Sequence, residues 1–414
     1  MAAAEPPKPR IAIVTYNIHN LGGVPRSTTT IANSLNRRGY TVELISIAPG
    51  MIPVAQQIDS EIPVFTCNQE VPRSQQFYSN GVGARGRQLA LRLFRRWKPR
   101  NLRLVRPTAD GVDRLTSHLA AMDLGHTIVI VTDVNSMDYV GLALQRLEAR
   151  PLALIGQFRG TVEALSPSRL RRISDAFSDV DLMLLLTEED ARAFRAATNV
   201  DCDWVPNPVP TAPESASERA EPREVVTLGR LAPEKGLDKA IEAWGLLGAK
   251  NADWTLRIFG DGPLYRPLQD QIDAAGLSGS VHLEGKTEDS LGVLRKATIH
   301  LLPSQHEGFG MSVAEASSVG TPTVAFDCSP GVRSQITHDV DGVLVPVNDV
   351  GRLAEELQLL MDDAARIERL GRAAAQSVQR FSVAAVMARW DELFADLARK
   401  SERDRSLDSG HAEQ

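Results

Sequence analysis

Short apolar runs alternate with segments of helical spacing along most of this chain. Ile11–Tyr16 is such a run, and after a Gly-containing loop Val24–Arg38 carries apolar residues at helical spacing until Gly39 stops it. The theme recurs in Thr41–Ile47, Thr127–Val131, Leu152–Ile155 and Asp181–Leu186, which read as strands, with helices over Asp138–Leu147 and Ser168–Phe177. Strands that are apolar on both faces and separated by helices imply a parallel sheet covered on both sides.

The alternation breaks at Pro206–Pro222, a Pro/Ala/Ser/Glu-rich stretch of hinge or linker composition, and then restarts. Val225–Leu228, Thr255–Phe259, Ser280–Leu283, Thr298–Leu302 and Thr323–Phe326 read as strands, with helices over Leu237–Leu247, Leu264–Ala275 and Met311–Ser318. The pattern predicts an α/β chain of two Rossmann-like domains with a ligand-binding cleft between the carboxyl ends of their strands. Residues 1–9 read as a disordered leader, 10–208 as the first domain, 209–222 as linker and 223–381 as the second domain. A C-terminal helix follows over 382–399, with Phe381, Val386, Trp390 and Phe394 near one face, and the polar stretch 400–414 reads as a disordered tail.

A length of 414 residues agrees with two folding units, and 43% hydrophobic with 24% charged residues is ordinary globular composition. The net charge of −6 argues against a nucleic-acid partner, because such proteins concentrate cations against phosphates. Cys67, Cys202 and Cys328 form neither a C-x-x-C pair nor an even disulfide framework, which fits a reducing compartment. The N-terminus lacks the apolar run of a signal peptide, so a cytoplasmic location is expected. One segment adds to that picture. Arg85–Arg106 carries nine Lys/Arg and no acidic residue, interleaved with Leu89, Leu91, Leu93, Phe94 and Trp97. It reads either as a solvated helix or loop or as a contact for an anionic membrane or polymer, which would place the protein at the inner membrane face.

The most informative run is Glu307-Gly308-Phe309-Gly310-Met311-Ser312-Val313-Ala314-Glu315, which follows a strand and opens a helix. A helix N-terminus presents unpaired N–H groups and partial positive charge, a setting for a diphosphate. With the helix starting near Gly310, the two carboxylates lie about 12 Å apart at 1.5 Å per residue, beyond the separations of a hydrolytic carboxylate pair. They suit hydroxyl groups at the two ends of one extended ligand, such as a nucleotide sugar.

That run resembles the E-x7-E motif of family-4 retaining glycosyltransferases. Leu228-Gly229-Arg230-Leu231-Ala232-Pro233-Glu234-Lys235-Gly236 resembles the same family's G-R-x-x-x-x-K-G segment, and Gly260-Asp261-Gly262-Pro263, Gly320-Thr321-Pro322 and Asp341-Gly342 match in order and spacing. The resemblance implies a GT-B fold and transfer of a sugar, with retention and without metal or cofactor, from a nucleotide donor, UDP-linked by expectation. It implies Glu307, Arg230 and Lys235 as catalytic residues and Gly308, Phe309, Gly310, Met311, Ser312 and Glu315 as donor-binding residues. Arg230 and Lys235 would grip the diphosphate, whose charge grows as the glycosidic bond breaks.

In the first half the resemblance rests on Tyr16-Asn17-Ile18-His19-Asn20-Leu21-Gly22-Gly23-Val24 and Val205-Pro206-Asn207-Pro208. It implies Gly22 and Gly23 at the donor phosphates and makes His19 a candidate for sugar or acceptor contact. Arg159 departs from the family, many members of which carry a histidine nearby. An arginine stays protonated and is no general base. Arg159 therefore binds an anionic sugar or acceptor, or braces a loop. Cys328–Ile336 resembles a G-P-R-x-x-I variant found in transferases acting on wall polymers or lipid-linked glycans, and the acceptor stays unnamed. Asp339-Val340-Asp341 imitates a metal-binding D-x-D, but Asp341-Gly342 reads as a turn before Val343–Val345. A nucleotide-sugar 2-epimerase of the same architecture and a non-catalytic transferase partner are the alternative functions.

Overall fold

The computed structural model of the protein describes residues 8–19, 23–50, 57–68, 106–210, 223–248 and 251–411. The first sheet comprises β1 (Arg10–Thr15), β2 (Val42–Ser46), β3 (Val64–Thr66), β4 (Thr127–Val131), β5 (Ala153–Gln157), β6 (Leu182–Leu185) and β7 (Cys202–Trp204). Its strands run in the order β3-β2-β1-β4-β5-β6-β7, and every pairing is parallel. The second comprises β8 (Glu224–Leu228), β9 (Thr255–Phe259), β10 (Val281–Gly285), β11 (Ile299–Leu302), β12 (Thr323–Phe326) and β13 (Val343–Val345). Its order is β10-β9-β8-β11-β12-β13, again parallel throughout. Both orders are those of the doubly wound Rossmann sheet, so each domain has a switch point beside its first strand, where the chain leaves in opposite directions and ligands bind.

Strands β1, β2, β4 and β5 are buried along nearly their whole length, as residues covered on both faces must be. The covering helices in the first domain are α1 (Gly23–Arg37), α2 (Ala109–Ala120), α3 (Val134–Leu147), α4 (Pro167–Ala176) and α5 (Glu188–Ala197). Side chains cap several of them: Asp133 accepts from Ser136 N at the start of α3, and Thr187 accepts from Asp190 N at the start of α5. The second domain adds α6 (Leu237–Leu247), α7 (Tyr265–Ala274), α8 (Ser290–Lys296), α9 (Met311–Ser318), α10 (Pro330–Arg333), α11 (Val350–Met361) and α12 (Ala364–Ser377).

Helix α13 (Val383–His411) returns to the first domain. Its Val386, Met387, Trp390, Leu393, Phe394 and Leu397 join one apolar cluster with Ile11, Ile13, Leu35 and Leu44. Tyr40 meets Phe394 edge-on at 5.6 Å, and the Tyr40 hydroxyl donates to Asp391. The C-terminal helix is thus part of the first domain's core. It also runs beyond the expected end at 399, through the stretch expected to be disordered, as far as His411. Residues 400–409 contain neither Gly nor Pro, so nothing in the backbone interrupts the helix. Among the described residues no helix is long and apolar enough to cross a membrane. The basic stretch Arg85–Arg106 lies outside the described residues apart from Arg106.

Candidate active site

The chain after β11 forms one wall of the second domain's switch point. Glu307 sits in this loop, and its Oε1 accepts from the Lys235 ammonium at 2.7 Å and from the Ser304 hydroxyl at 2.7 Å. The Glu307 side chain is 11% exposed and that of Lys235 is 24% exposed, so the pair is shielded but reachable. Both donors use the same oxygen. Among the described residues Oε2 has no hydrogen-bond partner, and it is available to a hydroxyl.

The other wall follows β8. Gly229 N donates to Phe259 O at 3.0 Å and Leu231 N to Asp261 O at 3.0 Å, so the segment carrying Arg230 is laced to the one after β9. This lacing explains Gly260 of the Gly-Asp-Gly-Pro run, because a Cβ there would stand 1.8 Å from the Gly229 carbonyl oxygen. Arg230 itself is 68% exposed and pairs with Glu234, one helical turn on. A short helical turn over Pro233–Lys235 then points Lys235 back at Glu307. The Glu234 carbonyl accepts from Gln305 N at 2.9 Å, which joins the two walls by backbone.

Helix α9 begins at Met311, directly after Gly310. Gln335, which is buried, donates from Nε2 to the carbonyls of Phe309 and Gly331 and so fixes the approach to that helix. The Phe309 ring is only 3% exposed and packs edge-on against Phe381 at 5.2 Å, so a ligand would meet its backbone and not its ring. Met311 and Ser312 are half-buried at the helix start. Glu315, in the second turn, is buried and paired with Arg26 of the first domain.

The first domain closes over this site. A Cβ on Gly23 would lie 3.7 Å from Met311 Cγ, so the N-termini of α1 and α9 converge. Two helix N-termini meeting at one place concentrate unpaired N–H groups and partial positive charge, as a diphosphate requires. Gly22 lies outside the described residues. His19, in the loop after β1, is packed against Gly50, and its Nδ1 is buried with no hydrogen-bond partner among the described residues. Burial lowers its pKa, which favours the neutral ring. No hydrogen bond among the described residues joins His19 to Glu307, Arg230 or Lys235.

Arg159 follows β5 and donates to Ser27 on α1, to Asn207 at 3.1 Å and to Gln157 at 2.7 Å. Burial lowers its pKa to about 10, opposed by the Asp133 carboxylate, and it stays charged at neutral pH. The structure thus gives it a bracing geometry, with α1, the end of β5 and the crossover segment all tied to one guanidinium. Farther along the same seam Arg333 spans the domains, donating to Glu163 at 2.7 Å and Glu189 at 3.0 Å on one side and to Asp327 at 2.9 Å on the other.

Asp339 and Asp341 point to different tasks. Asp339 pairs with Arg366 and Arg369, while Asp341 accepts from Thr337 N at 2.6 Å within its turn. Sequence reasoning missed Ser304, Arg26, Gln335 and Asn207 as neighbours of the site. Asn207 and Gln335 stood in motifs that were noticed, whereas Ser304 and Arg26 carry no spacing that marks them.

Residues 209–377 match the family model described as glycosyl transferases group 1. An uncharacterized glycosyltransferase of Haemophilus influenzae is 27% identical over 355 residues, covering 86% of this chain and 91% of that one. An exopolysaccharide phosphotransferase of Streptomyces coelicolor is 33% identical over 234 residues, which are 55% of this chain but only 24% of that longer protein. A crystal structure of a mutant of S. aureus TarM in complex with fondaparinux, α-GlcNAc-glycerol and UDP superposes with a TM-score of 0.74 at 14% identity, covering 93% of this chain and 99% of that one. The fold is therefore the two-domain GT-B fold of glycosyltransferases. The family match lies on the second domain, which carries Arg230, Lys235, Glu307 and Glu315.

Proposed function

We propose that the protein is a retaining, metal-independent glycosyltransferase that moves a sugar from a UDP-linked donor to a hydroxyl of a glycan or anionic polymer. The observation that carries the reading is the Lys235–Glu307 pair at 2.7 Å, set where the N-termini of α1 and α9 converge. In this reading Oε2 of Glu307 takes a sugar hydroxyl, Lys235 and Arg230 hold the diphosphate, and Glu315 takes the ribose. The two cations supply the charge that a departing diphosphate needs, the role a metal ion plays elsewhere. As the bond from the anomeric carbon to the β-phosphate oxygen breaks, the acceptor oxygen bonds that carbon on the same face. The acceptor proton passes to the departing phosphate, so no side-chain base is required. Arg159, tied to three partners, braces this site without receiving a proton. The UDP and α-GlcNAc-glycerol held by the TarM structure, and the exopolysaccharide named for the Streptomyces relative, favour this donor and acceptor class.

The test is calorimetric binding of a panel of UDP-, GDP-, ADP- and dTDP-sugars in the presence of a chelator, repeated with Glu307→Gln. Saturable binding of a UDP-sugar, followed by an acceptor screen giving a product of unchanged anomeric configuration, supports the proposal. Release of nucleoside diphosphate with an altered free sugar nucleotide, and no acceptor required, would mark an epimerase instead.

A further inference from the structure

Glu315 sits in the second turn of α9 with its side chain only 7% exposed, and among the described residues its one ion-pair partner is Arg26, whose side chain is 43% exposed. The two residues belong to different domains. Arg26 reaches Glu315 from the first turn of α1, the same turn that brings Gly23 against Met311. The guanidinium donates to Oε1. Oε2 has no hydrogen-bond partner among the described residues. A carboxylate only accepts and a guanidinium only donates, so their contact fixes one carboxylate oxygen and leaves the other with a defined direction. A ribose diol offers donors that match that second oxygen.

We infer that Arg26 is a positioning residue for ribose recognition, holding the Glu315 carboxylate so that the donor's ribose hydroxyls are read. The inference rests on the donor site proposed above. It makes ribose reading a property of both domains together, because the acidic residue comes from one and the residue that aims it from the other. A plain interdomain ion pair would make no distinction between nucleotides with and without those hydroxyls. A site built to accept a hydroxyl rejects the analogue that lacks it, since its polar group is then left unpaired.

The experiment is isothermal calorimetry on the full chain with UDP and 2′-deoxy-UDP, and with GDP and ADP and their 2′-deoxy forms, on wild type, Arg26→Ala and Arg26→Lys. Wild type is expected to bind the ribonucleotide at least about tenfold more tightly than its deoxy analogue, the order of one hydrogen bond to a charged group. Arg26→Ala is expected to bring that ratio to within about threefold, and Arg26→Lys, which keeps the charge, to retain part of it. Equal weakening of both nucleotides, with the ratio kept, would make Arg26 a structural contact and overturn the inference. Wild-type binding of UDP and 2′-deoxy-UDP with equal affinity overturns it too while leaving the donor site standing. If wild type binds none of UDP, GDP and ADP, the donor site itself falls and the inference with it.

Discussion

Gly308 and the carbonyl oxygen of Arg159 face each other across the domain boundary so closely that a Cβ on residue 308 would stand 2.0 Å from that oxygen. The neighbour is backbone and has no rotamer by which to move aside. Gly308→Ala is therefore expected to push the two domains apart at the site and to lower kcat/KM by about tenfold or more, from a misplacement of order 1 Å. Steady-state kinetics beside far-ultraviolet circular dichroism checks this, since each domain should keep its secondary structure. Unchanged kinetics would mean that the seam is open in solution.

Glu307→Ala is expected to abolish transfer while leaving the protein folded, because the carboxylate lines a cleft and does not fill a core. Arg230→Ala and Lys235→Ala should each lower turnover by about 10²–10³, the cost of removing one charge-stabilising donor. Single-turnover assays with thermal melts separate the two kinds of loss. A melting temperature that falls in step with activity would assign these residues a structural role.

Arg159→Lys keeps the charge but loses the fork that reaches Ser27, Gln157 and Asn207 together. The expected result is a lower kcat at nearly unchanged donor affinity, because α1 and the crossover segment lose their common anchor. If Arg159 instead gripped an anionic ligand directly, Arg159→Lys would raise KM and leave kcat near the wild-type value.

His300 lies within β11, its Nδ1 set 3.0 Å from the Thr323 hydroxyl and its buried Nε2 with no hydrogen-bond partner among the described residues. Burial pushes its pKa down to about 3. In the unfolded chain the same ring takes a proton below about pH 6.5. The unfolded state thus binds more protons than the folded state between these values, so stability present above pH 6.5 is lost as pH falls towards 3. The limiting slope is about 1.4 kcal/mol per pH unit. Chemical denaturation at pH 7 and pH 5 should show His300→Asn with a shallower acid loss than wild type, and an identical loss in both would rule out this ring as its source.

Helix and strand order was legible because buried parallel strands are apolar throughout and the helices between them keep their own period. Thr127–Val131, Thr255–Phe259, Leu237–Leu247 and Met311–Ser318 lie in the structure where the pattern put them. The three-residue strands Val64–Thr66 and Cys202–Trp204 are too short to carry a period, and pairing at the sheet edges alone defines them. Helix α13 was legible as a helix, but its membership of the first domain's core was not, since its apolar face has no address in the sequence.

By itself, then, the sequence determined the two alternating halves, the break between them and the local chemistry of each motif, because backbone propensity, apolar period and turn residues act over a few neighbouring positions. Only the tertiary structure decided that Lys235 meets Glu307, that Arg26 meets Glu315 and that Arg159 turns towards Ser27 and Asn207. Each of those contacts joins segments tens to hundreds of residues apart: Lys235–Glu307 forms when the second sheet has folded, the Arg159 contacts when the first has, and Arg26–Glu315 only when the two have docked, long-range outcomes that no local spacing encodes.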